Sequence, residues 1–280
     1  MELYLMICVF IFGAIIGSFL DVVAYRLHTG KSLNGRSHCL SCNTQLKWYE
    51  LIPVVSYLSL LARCRTCGAH IPWRCLIMEV VTGLSFLYLY TEYLYEPILF
   101  VLYLVVAALL ILIVAYDLRH MIIPDELVLA LGIVSIVVVS YTAYSEGSGW
   151  EAVLDHGAAA LAGGAFFASF WLVSKGRWMG LGDAKLMLPL GLLLGLLNTL
   201  AAIVLAFWIG AAISVCIIAM QHLLRFMSKA SAGTTRISFF RTPLRIKSEI
   251  PFAPFLVLGF SLVHFFHVDL FQAFPLIYPF

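Results

Sequence analysis

Charged residues are scarce in this sequence. Lys, Arg, Asp and Glu make up 11% of its 280 residues, less than half of the roughly 25% usual in soluble domains. Apolar residues reach 62% and mean hydropathy is +1.00, which excludes an ordinary water-soluble domain. Two further absences narrow the reading. No basic leader precedes the first hydrophobic run, which continues through Gly13 and Gly17 to Asp21, so it reads as a retained helix rather than a cleavable signal peptide. No Gly-x-Gly-x-x-Gly is present, so no dinucleotide-type loop marks a cofactor site.

What the chain has instead is long apolar runs. They recur near 3–25, 76–94, 98–116, 126–144, 152–174, 184–199, 201–224 and 252–272. About 20 apolar residues are needed to carry a helix across roughly 30 Å of hydrocarbon. The expectation is an all-α polytopic membrane protein with about eight transmembrane helices. Between Lys185 and Arg225 only Asn198 and Thr199 interrupt the sixth and seventh runs, so a fused, seven-span arrangement is the alternative. Gly13 and Gly17 share a four-residue spacing with Gly191 and Gly195, a pattern that lets helices approach closely.

The cations set the orientation, because Lys and Arg accumulate in cytoplasmic loops. With residue 1 outside and eight spans, all 17 fall on the cytoplasmic side: seven from Arg26 to Arg74, then Arg119, then Lys175, Arg177 and Lys185, then six from Arg225 to Lys247. The outer side receives Glu2, Glu92, Glu96, Glu146, Glu151 and Asp269. Seven spans would place the last basic segment outside, which favours eight.

Residues 26–75 form the one long polar stretch of the first half and read as a small cytoplasmic domain between the first and second helices. It carries Cys39-Leu-Ser-Cys42 and Cys64-Arg-Thr-Cys67, two knuckles with nearly the spacing of a zinc ribbon. Four thiolates suit tetrahedral zinc and leave no open position for water, so the metal is expected to be structural. The alternatives are two disulfides or free thiols, and disulfides rarely persist in a reducing compartment. Cys8, Cys75 and Cys216 lie in or beside apolar runs and read as small buried hydrophobes. Between the knuckles, Trp48 to Tyr57 is rich in aromatic and aliphatic residues, suited to a ribbon core or to the membrane surface.

Two acids stand where the bilayer makes them expensive. Asp117 ends the third run and Asp183 lies between the fifth and sixth, in Gly180-Leu181-Gly182-Asp183. A carboxylate at the centre of a span costs about 2.5–3.5 kcal/mol and less near the interface, which makes each a functional candidate. Paired carboxylates cannot both ionise comfortably, so one keeps a proton while the other acts as base on water, the arrangement of aspartic proteolysis. Structural readings stand beside this one. Asp117 could pair with Arg119 or Lys185, and Asp183 could cap the sixth helix. Asp125, after Pro124, fits a helix N-cap better than a catalyst.

With these residues in view, the chain resembles the type IV prepilin peptidase family almost end to end. The resemblance rests on Gly17-Ser18-Phe19-Leu20 with Tyr25-Arg26-Leu27, the two Cys pairs, Leu51-Ile52-Pro53, Ile71-Pro72 with Arg74 and Glu79, Asp117 to Asp125, Met179 to Leu186, and Ile250 to Leu256. It implies that Asp117 and Asp183 form the catalytic dyad. It also implies substrates that are prepilin or pseudopilin precursor peptides, cut after a Gly beyond a basic leader. A second activity is implied as well, methylation of the new amino terminus with S-adenosylmethionine.

The chain departs from the family pattern at several positions. Asp21 stands where Asn is usual, Ala62 for Gly, Cys75 for Tyr, and Leu40 and Arg65 for the knuckle prolines. Asp21 and Cys75 bear on methyl transfer rather than on proteolysis. The expected domains are a first helix (1–25), a zinc-ribbon-like domain (26–75) and a membrane peptidase core (76–280). The expected location is the bacterial inner membrane, with the active site on the cytoplasmic face. No nucleic-acid partner is expected. The rival readings are a non-enzymatic membrane assembly factor and a proton-coupled transporter.

Overall fold

The computed structural model describes residues 2–27, 35–147, 149–230 and 251–270. Among them the regular structure is helical: α1 (Glu2–Arg26), α2 (Val55–Ser59), α3 (Trp73–Glu92), α4 (Pro97–His120), α5 (Asp125–Ser145), α6 (Gly149–Ser174), α7 (Leu181–Leu194), α8 (Leu196–Ala230) and α9 (Ala253–His264). A 3-10 turn covers Trp48–Leu51. The helices belong to two compact units, one running to Glu146 and one from Gly147.

Six of these helices, α1, α3, α4, α5, α6 and α8, are long and apolar enough to cross a membrane. The chain is therefore an all-helical, multi-pass membrane protein, with helices satisfying their own backbone groups as lipid demands. The other two expected spans are also helical but shorter. At 1.5 Å per residue, α7, with 14 residues, covers only about 21 Å. Over the described residues α9 has 12, or about 18 Å.

The break between the sixth and seventh apolar segments falls at Gly195, not at Asn198 and Thr199. Gly195 takes φ +76°, a left-handed value, and its N–H closes α7 onto the Gly191 carbonyl at 3.1 Å. Asp155 of α6 then accepts the Leu196 N–H at 3.1 Å, capping the start of α8. Thr199 is buried within α8 instead of lying in a loop. Of the last basic segment, α8 carries the chain to Ala230, and residues 231–250 lie outside the described residues, as does Lys31.

In the first unit α1 packs chiefly on α3, and α4 packs on α1, α3 and α5. The closest approach is at the paired glycines. A Cβ on Gly13 would lie 2.9 Å from the Gly83 Cα, and one on Gly17 only 2.5 Å from the Met78 carbonyl oxygen. Backbone thus meets backbone there, as small-residue helix contacts in membranes require. Towards the end of α1, Leu20, Val23 and Ala24 join Met78 and Leu112 in a buried cluster that also receives Leu127 of α5. In the second unit Gly191 lets α7 lie directly against Ala159 and Ala160 of α6.

Candidate metal centre and active-site residues

The two Cys knuckles are the same small structure built twice, 25 residues apart. In the first, Cys39 N–H donates to the Thr44 carbonyl at 2.9 Å and Asn43 N–H to the Cys39 carbonyl at 2.9 Å; in the second, Cys64 N–H donates to Ala69 at 2.8 Å and Gly68 N–H to Cys64 at 2.9 Å. Each closes on one antiparallel bridge, His38 with Gln45 and Arg63 with His70. Each turns through a left-handed residue after its second Cys, Asn43 at φ 56° and Gly68 at φ 70°. Asn and Gly are the residues that adopt this conformation most readily.

These turns bring the four Sγ atoms within 4.8 Å of one another. Cys39 Sγ and Cys67 Sγ are 3.8 Å apart, and four sulfurs about 2.3 Å from a tetrahedral zinc lie about 3.8 Å from each other. No disulfide links any of the seven cysteines. The thiols also show why a cation belongs among them. The Thr44 side chain and backbone draw the Cys42 thiol down to about 6, and backbone hydrogen bonds from Cys67 and Thr66 lower Cys64. Against a favourable Ala69 N–H, desolvation and the other three sulfurs push Cys67 up to about 11. A divalent metal removes this conflict by holding all four as thiolates.

Asp117 sits in the last turn of α4 and is 5% exposed. Its carbonyl receives the N–H of Met121 at 2.8 Å, where a left-handed residue ends the helix. Asp183 is 8% exposed and occupies the third position of α7. The cap of that helix is Gly180, with extended backbone, so Asp183 is not the N-cap residue. A Cβ on Gly180 would meet nothing nearer than 3.9 Å, which leaves room beside Asp183. Asp125 is likewise not an N-cap: Pro124 holds that place, and Asp125 is the exposed first residue of α5. Asp117 belongs to the first compact unit and Asp183 to the second. The Arg119 guanidinium lies over the Tyr25 ring at 4.7 Å.

The first unit also holds a cavity of about 450 Å³ between the knuckles and the adjoining parts of α1, α3 and α4. Asp21, Arg74, Cys75, Glu79 and Arg119 line it. Glu79 is 8% exposed, and its Oε2 accepts the Val54 N–H at 2.7 Å. Val54 holds φ 61° in a tight turn closed by Val55 N–H to Pro53 carbonyl at 2.6 Å. A β-branched residue there is strained. Sequence reasoning gave Glu79 no role, although a signal was present: it is an acid inside an apolar run, the same evidence that singled out Asp117 and Asp183.

Comparison with known proteins agrees with this anatomy. Residues 11–93 match the bacterial peptidase A24 N-terminal domain, and residues 104–215 match the type IV leader peptidase family. A protein named prepilin leader peptidase/N-methyltransferase from Myxococcus xanthus is 33% identical over 74% of this chain and 61% of its own length. Proteins of the same name from Klebsiella pneumoniae and Stutzerimonas stutzeri are 32% and 27% identical, over 66% and 90% of this chain and 83% and 88% of theirs. No solved structure gives a significant match. With the four-sulfur centre inside the first match and both buried aspartates inside the second, this chain belongs to the type IV leader peptidase family.

Proposed function

We propose that this chain is a prepilin leader peptidase that cuts pilin-like precursors after a Gly, at the cytoplasmic face of the bacterial inner membrane, and then methylates the new amino terminus. The observation that carries the reading is that two acids, Asp117 and Asp183, are each buried near the end of an apolar helix within the leader-peptidase match. One carboxylate takes a proton from water as it attacks the scissile carbonyl, and the protonated partner delivers a proton to the leaving amine. The open space at Gly180 suits an extended peptide backbone beside Asp183. The peptidase core is taken as residues 76–280, the segment that contains both acids.

Zinc held by Cys39, Cys42, Cys64 and Cys67 staples the domain of residues 26–75, which is too small to stabilise itself by apolar burial alone. S-adenosylmethionine, when bound, supplies the methyl group for the second reaction, an activity carried in the relatives' names.

Purified protein, in detergent and without an energy source, is expected to remove the leader from a pilin precursor and, given S-adenosylmethionine, to add one methyl group, both read by mass spectrometry. An intact precursor would favour an assembly or transport role. The one-sided cations predict the orientation. In a background lacking Cys8, Cys75 and Cys216, an impermeant thiol reagent should label Glu96→Cys but not Lys47→Cys in intact spheroplasts, and the reverse pattern would invert the topology.

A further inference from the structure

The segment between the two knuckles leaves large apolar side chains uncovered outside any membrane-spanning helix. Trp48 is 77% exposed and Leu61 81%, with Val55 and Leu58 also exposed between them. The short helix α2 explains the sides. Its Ser56 and Tyr57, with Leu60 beyond, line the cavity, whereas Val55 and Leu58, three residues apart, share the opposite side. Leu61 and Ala62 then take left-handed torsions, φ 49° and 57°, which residues with a Cβ adopt at a cost. Clustered apolar side chains on a surface mark an interaction site.

We propose that this face is seated in the cytoplasmic leaflet of the bilayer, with Trp48, Val55, Leu58 and Leu61 at the boundary of headgroups and acyl chains and the neighbouring cations on anionic phospholipid. Depth is the first support. Glu79 accepts the Val54 N–H at 2.7 Å, and the Ala62 carbonyl accepts the Ile71 N–H at 2.7 Å. Ile71 stands two residues before α3 and Glu79 six residues into it, about 9 Å along the axis. Because α3 is long and apolar enough to cross the membrane, these bonds fasten the segment at the level where that helix enters lipid. Interfacial segments bury their apolar face by about 5–10 Å, which is the depth the bonds impose. A soluble partner would have to displace lipid to reach it.

Charge is the second support. Residues 35–75 carry Arg36, Lys47, Arg63, Arg65 and Arg74, all exposed, against one acid, Glu50. The Glu50 carboxylate already accepts the Lys47 N–H at 2.8 Å. Such an excess of cations suits anionic headgroups. Aromatic packing is the third. Lys47 Nζ and the Arg65 guanidinium lie 5.9 and 5.6 Å from the centre of the Tyr49 ring, Arg65 donates to the Tyr49 hydroxyl at 3.0 Å, and Trp48 meets the same ring edge-on. Trp and Tyr collect at membrane interfaces, where an apolar ring and a polar tip are both satisfied. The choice of leaflet rests on the topology proposed above, whereas the lipid contact does not.

The test places full-length, zinc-loaded protein in vesicles of phosphatidylcholine and phosphatidylglycerol, with a trace of either lipid carrying a photoactivatable diazirine near the top of one acyl chain. Mass spectrometry maps the label, with α1 as the internal reference. Wild type should be labelled within residues 47–61, more strongly by the phosphatidylglycerol probe. Lys47→Gln should lower that label by about fivefold, the effect of one cation at an anionic surface, and leave the phosphatidylcholine label little changed. The double variant Val55→Ser with Leu58→Ser should lose label from both probes, zinc content and helicity showing that it is folded. No label on 47–61 of wild type whose α1 is labelled overturns the proposal, as does equal label in the double variant. Crosslinking of this face by a pilin precursor carrying the diazirine, with none by lipid, would give it to the substrate instead. Both vesicle leaflets carry the probe, so an inverted topology leaves the lipid label in place and is detected by the thiol labelling described above.

Discussion

The Cys75 thiol donates to Oδ2 of Asp21 at 3.1 Å, joining α3 to α1 across 54 positions of sequence. Both positions depart from the pattern of the family that the sequence resembles, and the fold makes them neighbours in one cavity.

That pairing predicts non-additivity. Cys75→Ala and Asp21→Asn, alone and combined, should show a coupling of about 0.5–1.5 kcal/mol in detergent unfolding, the scale of one hydrogen bond. Additive effects would mean that the contact contributes nothing to stability.

Helix contact in the first unit gives a sharper contrast. Gly17→Ala places a Cβ 2.5 Å from the Met78 carbonyl, so α1 and α3 must separate, at a cost of about 1–3 kcal/mol. Gly132→Ala on α5 meets nothing within 4 Å and should be neutral or stabilising by up to about 1 kcal/mol. Thermal unfolding of the two variants side by side reads the difference. Equal melting temperatures would show that the α1–α3 contact is not close-packed.

Much of this architecture was legible in the sequence because it is written in local spacing. Two Cys-x-x-Cys units 25 residues apart announce a four-sulfur centre, and apolar runs announce membrane helices. Gly13 and Gly17 were readable as a contact face for the same reason. The α7–α8 boundary was not, because apolar residues run through it and the break is made by a glycine torsion and by Asp155, which lies on another helix. The cavity escaped entirely, since segments scattered between Ser18 and Arg119 build it and no single window of sequence contains it.

The metal centre should be stoichiometric and structural. Elemental analysis is expected to find one zinc per chain, lost in Cys42→Ser and in Cys64→Ser, with new proteolytic nicking confined to residues 35–72. The long helices outside that segment bury their own contacts, so helicity should fall little on chelation. Global unfolding on zinc removal would show that the knuckles hold more than their own domain together.

The decisive prediction concerns the carboxylates. Asp117→Asn and Asp183→Asn should each abolish precursor cleavage with insertion and zinc content intact, because an amide can neither take a proton from water nor supply one. Both side chains are buried, and exchanging a carboxylate for an isosteric amide creates no cavity, so lost activity would not reflect lost packing. Asp125→Asn supplies the control. Asp125 is exposed in the first turn of α5, where its charge interacts favourably with the helix dipole by about 0.3–1 kcal/mol. Its replacement should therefore shift stability by no more than that and leave most of the cleavage rate. Robust cleavage by either buried-acid variant, or total loss in a folded Asp125→Asn, would move the chemistry to a different carboxylate.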